Sequence, residues 1–195
     1  MKALSLATPY LIVVVGVPGA GKTVFARRFA SMFHVPLISE DQLYQLDPNI
    51  TPSVAHKLAP NLLEALLPEY LKTNQTIIID GIAAMRTMRT DLQKLAKQTG
   101  YKLQIVWVQT DPITARRRCV RPAKDSDKVP MTSEEYDDIL HTFSAPHPSE
   151  NCLVLSGKHT YATQARTLLR KLTETRPVAT QPTKRPSTGS RISIS

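Results

Sequence analysis

Short, dense apolar blocks alternate along the chain with longer stretches in which apolar residues recur every three or four positions, and the two periods predict different elements. Tyr10–Val15 is an apolar, mostly β-branched run bounded by Pro9 and Gly16, the form of a buried strand. Val35–Ser39, Thr76–Asp80, Leu103–Gln109 and Cys152–Leu155 read the same way. Helical spacing fills the intervals. Lys22–Phe33 carries Val24, Phe25, Phe29 and Phe33. Ser53–Leu71 carries Leu58, Leu62, Leu63, Leu66, Leu67 and Leu71, and Pro60 and Pro68 are expected to break or kink it. Arg86–Gln98 is a helix closed by Gly100. Asp111-Pro112 supplies an N-cap and a first helical residue, opening a helix that stops at Pro122. Thr132–Phe143 begins with capping-box spacing between Thr132 and Glu135, and Thr160–Thr175 is a final amphipathic helix with Ala165, Leu168, Leu169 and Leu172 on one side.

Strands that alternate with helices predict an α/β fold: a parallel sheet, helices on both faces, right-handed crossovers. Residues 1–175 are expected to form this one domain, with a lid at about 116–131 that includes the polar loop Ala123–Pro130. From Arg176 to Ser195 the chain turns to Pro, Ser, Thr and basic residues, the composition of a disordered tail.

The bulk composition narrows the class. At 195 residues, 42% hydrophobic and 21% charged, the chain can bury a core without covalent staples. Cys119 and Cys152 form neither a disulfide framework nor a zinc pattern. The apolar run Leu11–Val15 is too short for a signal peptide core, and cleavage after it would cut the glycine motif that follows. No run approaches a membrane span, so a cytoplasmic protein without membrane partners is expected. The net charge of +9 raises nucleic acid and anionic substrates as partners. Much of the excess sits in two places: Arg116, Arg117, Arg118 and Arg121, and the tail residues Arg176, Lys184, Arg185 and Arg191. The tail reads as a solvated end rather than a nucleic-acid arm.

The strongest chemical signal is Gly16-Val17-Pro18-Gly19-Ala20-Gly21-Lys22-Thr23, which matches G-x-x-x-x-G-K-[ST] between a strand and a helix. Glycines let backbone N–H groups wrap a phosphate at a helix N-terminus. Lys22 then reaches the β- and γ-phosphates of ATP, and the Thr23 hydroxyl takes a place on Mg²⁺. Asp80 ends the run Ile77-Ile78-Ile79 and is the second metal candidate, directly or through water. Glu40 and Asp41 close another strand, where an acid can accept the proton of an attacking hydroxyl; Asp41 is favoured and Glu40 is its rival, with an N-cap for a helix starting near Gln42 as the structural reading. Arg118 and Arg121 are three apart and Arg117 and Arg121 four apart, so each pair shares a helix face suited to charge on a transferring phosphoryl group. Guanine-switch, transporter-ATPase and zinc-hydrolase motifs are absent: there is no N-K-x-D, no D-x-x-G after the third strand, no L-S-G-G-Q and no H-E-x-x-H.

These residues resemble the small P-loop kinases that include polynucleotide 5′-hydroxyl kinase domains, gluconate and shikimate kinase-like enzymes and zeta-toxin-like kinases. The likeness spans roughly Tyr10 to Leu172 and rests on Gly16–Thr23, Ser39-Glu40-Asp41, Ile77–Asp80, and Asp111-Pro112 leading to Arg118-Cys119-Val120-Arg121. It implies a P-loop NTPase fold with a five-stranded sheet ordered 2-3-1-4-5, MgATP as the phosphoryl donor, Asp41 on the acceptor hydroxyl, and Arg118 and Arg121 on the ATP phosphates. The chain departs from the group at Gly81-Ile82-Ala83-Ala84-Met85, where relatives carry polar acceptor contacts; Arg86 or Arg89 is the expected substitute.

The reading is an ATP-dependent kinase acting on a hydroxyl of a small metabolite, a nucleotide or a 5′-hydroxyl polynucleotide, as a monomer or weak dimer. Nucleic acid is allowed but not favoured. Two rivals remain open: a nucleotide-binding regulatory module without transfer activity, and a toxin-like kinase acting on a sugar nucleotide.

Overall fold

The computed structural model describes residues 6–47, 49–123 and 130–174. Five strands, β1 (Tyr10–Val15), β2 (Leu37–Ser39), β3 (Ile77–Asp80), β4 (Lys102–Gln109) and β5 (Leu153–Ser156), form one parallel sheet in the order β2-β3-β1-β4-β5. This is the P-loop NTPase order. β1 lies at the centre, and all six of its residues are buried, because helices cover both faces. Its side chains alternate between two cores. Leu11, Val13 and Val15 face one, with Ile77, Ile79 and Ile105. Tyr10, Ile12 and Val14 face the other, with Ile78, Val106 and Val108.

The helices follow from the same patterning. α1 (Lys22–Phe33) and α7 (Tyr161–Thr173) close the second core through Phe25, Phe29, Leu168 and Leu172. α2 (Gln42–Leu46), α3 (Pro52–Leu71) and α4 (Arg86–Gln98) close the first. α5 (Pro112–Val120) and α6 (Ser133–Thr142) follow β4. The expected caps are present: Asp111 Oδ1 accepts from Thr114 N at 2.9 Å, and Thr132 and Glu135 form both bonds of a capping box.

The expected break at Pro60 and Pro68 is corrected. α3 runs unbroken through both. Ala55, Ala59, Leu63 and Leu67, each four residues apart, form its buried stripe, while Pro68 is exposed and Pro60 half-buried on other sides. The prolines leave the carbonyls of His56 and Glu64 without their helical donors, and the packed stripe outweighs that loss, each buried leucine contributing about 1.5–3 kcal/mol. Among the described residues no helix is long and apolar enough to cross a membrane.

Candidate functional site

The loop Gly16–Thr23 joins β1 to α1 at the C-terminal edge of the sheet. Two of its glycines are required by contact as well as by backbone angle. Gly16 has φ +149° and a Cβ there would strike the Val108 carbonyl; Gly19 has φ +77° and a Cβ would strike the carbonyl of Ala115 in α5. The loop is therefore clamped between β4 and α5. Side chains hold its carbonyls: Thr110 Oγ1 donates to Ala20 O at 3.0 Å, Arg118 Nη1 to Gly19 O at 3.3 Å and, from within the loop, Lys22 Nζ to Val17 O at 3.0 Å. Val17 is half-buried and Pro18 buried. No side chain caps α1, and its first turn holds no acid, so the positive end of the helix is presented to the loop.

The acidic edge lies across β2 and β3. Asp80 is buried at the end of β3, and Ser39 Oγ donates to its Oδ2 at 2.9 Å. Asp80 Oδ1 has no hydrogen-bond partner, alone in that among the buried side-chain atoms of the described residues. Burial pushes the Asp80 carboxyl up to about 6; the Lys22 ammonium and the Thr23 hydroxyl oppose the shift, the Asp41 charge adds to it, and Ser39 opposes it. A buried carboxylate oxygen without a donor, beside a threonine hydroxyl and an anion-binding loop, suits a hard divalent ion that takes its remaining ligands from phosphate and water.

Glu40 and Asp41 diverge. Glu40 turns toward α3 and α6: its Oε2 meets His56 Nδ1 at 3.3 Å, and His56 Nε2 meets Thr142 Oγ1 at 3.0 Å. Asp41 turns toward α1 and pairs with Arg27 at 3.0 Å. It occupies the N-cap position of α2 but makes no side-chain cap bond. Its charge is felt by Asp80 and by Tyr44, whose hydroxyl is raised by burial and then by Glu40, Asp41 and Glu135.

The arginines separate into two groups. Arg116 braces α5 on α6: it is paired with Asp137, with Nη2 to Oδ2 at 3.0 Å, and its guanidinium lies 5.1 Å from the Tyr136 ring centroid. Arg117, Arg118 and Arg121 instead line a cavity of about 580 Å³ together with Gly19, Ala20 and Gly21. α5 ends at Val120, so Arg121 reaches this cavity from beyond the helix. Residues 124–129 of the expected lid and the expected tail 176–195 lie outside the described residues.

Arg89 is not an acceptor contact. Its side chain is fully buried, bound by Glu150 at 2.7 and 3.2 Å and by the carbonyls of Ala83 and Ala84. It fixes the loop after β3 from within. Burial opposes the ionised Glu150, and the bonds from Arg89 and the His147 N–H outweigh it, so the carboxyl stays below its usual range. Arg86 is half exposed, 3.9 Å from Glu150. Sequence reasoning gave Ser39 no separate role and passed over His56; only the position of Ser39 before two strand-end acids signalled it.

Comparison with known families matches residues 11–146 to the AAA domain family. No curated protein matches. Solved structures share the fold. Kti12 of Chaetomium thermophilum, determined in complex with ADP-AlF3, has a TM-score of 0.65 at 22% identity, over 83% of this chain and 96% of that one. A gluconokinase from Sinorhizobium meliloti 1021 has a TM-score of 0.60 at 20% identity, over 84% and 91%. The APS kinase CysC of Mycobacterium tuberculosis, in complex with AMPPNP and APS, has a TM-score of 0.58 at 16% identity, over 85% and 98%.

Proposed function

The chain belongs to the AAA domain family, in its P-loop kinase-like form, and from that premise we propose that it transfers the γ-phosphate of MgATP to a hydroxyl acceptor. The observation that carries the reading is the unpartnered, buried Asp80 Oδ1 beside Thr23 at the mouth of the phosphate loop. A metal-nucleotide is the class of ligand that satisfies this oxygen and the loop together. Bound Mg²⁺ supplies charge neutralisation on the β- and γ-phosphates.

The protein groups divide the remaining work. Gly16, Val17, Pro18, Gly19, Ala20 and Gly21 cradle phosphate oxygens with backbone N–H groups. Lys22 exchanges the Val17 carbonyl for the β- and γ-phosphates. Thr23 and Asp80 hold the ion. Asp41, oriented by Arg27, accepts the proton of the attacking hydroxyl as its oxygen bonds to the γ-phosphorus and the bond to the β–γ bridging oxygen breaks, releasing ADP. Arg118 and Arg121, which line the same cavity as the loop glycines, take the charge that spreads over the transferring oxygens.

A second reading, a nucleotide-binding module without transfer, is favoured by one observation: both acids at the acceptor edge are engaged by the protein's own side chains, Asp41 by Arg27 and Glu40 by His56. The test is transfer from γ-labelled MgATP across sugar acids, nucleosides, nucleoside monophosphates, sugar nucleotides and 5′-hydroxyl RNA and DNA, with Lys22→Ala as control. Label in one acceptor class that disappears in the control supports the kinase. ATP bound without label in any acceptor supports the module.

A further inference from the structure

Gln164 is a polar side chain only 8% exposed, in the first turn of α7. Its Nε2 donates to the Ser156 carbonyl at 2.8 Å. That carbonyl only accepts, so the carboxamide has one orientation: turning it over would set two oxygens against each other. Oε1 is left without a donor among the described residues. It is not sealed in either, since Asp80 Oδ1 is the buried orphan atom among those residues. Gln164 also lines the cavity that holds Gly19, Gly21 and Arg118.

The position of Gln164 relative to the phosphate loop is fixed. Gly157 N donates to Gln109 O at 2.6 Å, and Thr110 Oγ1, next in sequence, donates to Ala20 O at 3.0 Å, tying the β5–α7 turn to β4 and β4 to the loop. The wall of the same cavity includes Val24, Phe25 and Tyr161, apolar surfaces that suit a flat ring. A fixed acceptor in the wall of such a space selects a ring that carries a donor.

Resting on the nucleotide-binding reading above, we propose that Gln164 determines base specificity by accepting a hydrogen bond from the 6-amino group of adenine. Guanine and hypoxanthine present a carbonyl oxygen at that position, acceptor against acceptor, and a purine with hydrogen at carbon 6 offers no donor. Among residues that touch the nucleotide, Gln164 would then act on choice of base alone.

The experiment compares equilibrium binding of ADP, inosine 5′-diphosphate and purine riboside 5′-diphosphate by calorimetry, to the wild-type chain and to Gln164→Leu. In the wild type ADP is expected to bind about tenfold or more tighter than either analogue, and in Gln164→Leu the three are expected to fall within about twofold through loss of ADP affinity alone. The wild-type comparison stands even where the variant folds poorly. Equal binding of the three by the wild type, or an ADP preference kept in Gln164→Leu, overturns the inference while leaving the nucleotide reading intact. Binding of none of the three overturns both.

Discussion

Ser39 donates its hydroxyl to Asp80 Oδ2 at 2.9 Å, and the two residues are also register partners across β2 and β3. The sheet itself therefore aims this bond, which fixes one carboxylate oxygen and leaves the other to face the loop and Thr23. The backbone N–H of Asp41 reaches the same Ser39 Oγ at 3.3 Å. One hydroxyl thus sets the spacing between the candidate metal ligand and the candidate base.

Asp80 ties stability to pH. Its carboxyl titrates near 6 in the folded chain and near 3.8 when exposed, because burial disfavours the charge. Above pH 6 the fold carries the cost of a buried carboxylate; as pH falls through 6 toward 4 that cost is released, up to about 3 kcal/mol. Asp80→Asn is expected to raise the Tm of the metal-free protein at pH 8, with the gain shrinking below pH 6. Melts in a chelator at pH 5, 6 and 8 check this, and binding of MgATP by the same variant is expected to fall at least about tenfold.

Arg116 and Arg118, two positions apart, are expected to behave differently. The Arg116–Asp137 pair is about half exposed, so Arg116→Ala is expected to change Tm little and to leave turnover within about twofold. Arg118→Ala removes a donor at the phosphate loop and lowers turnover by about a hundredfold or more with little change in Tm. Initial rates and melting curves for both variants separate brace from active group.

Arg89→Met leaves Glu150 buried without its partner and frees two carbonyls in the loop after β3. Denaturant unfolding is expected to show a loss of about 3–5 kcal/mol, with partial recovery in Arg89→Met combined with Glu150→Leu.

The parts of the fold carried by local pattern were legible in the chain. β1, α1 and α4 have the boundaries that their apolar spacing and flanking Gly and Pro predict, and the glycine motif falls between strand and helix as its chemistry needs. Roles that depend on distant partners were not. Arg89 and Glu150 are 61 positions apart, and from sequence Arg89 reads as an acceptor contact until that partner is known. Arg116 stands in the same run of arginines as Arg117, Arg118 and Arg121, and only its distant partner Asp137 marks it as a brace. Pro60 and Pro68 predicted a break because propensity is local, whereas the buried stripe on α3 draws on the sheet beneath it.

The central claim is that this loop moves a γ-phosphate under the control of Lys22. The most direct test is single-turnover loss of the γ-phosphate from labelled MgATP, with the acceptor panel present, in the wild type beside Lys22→Ala. Transfer of label to a hydroxyl acceptor, slowed about a hundredfold or more by the substitution, is the predicted result. ATP that stays intact with every acceptor, or label lost at the same rate from both proteins, would contradict it.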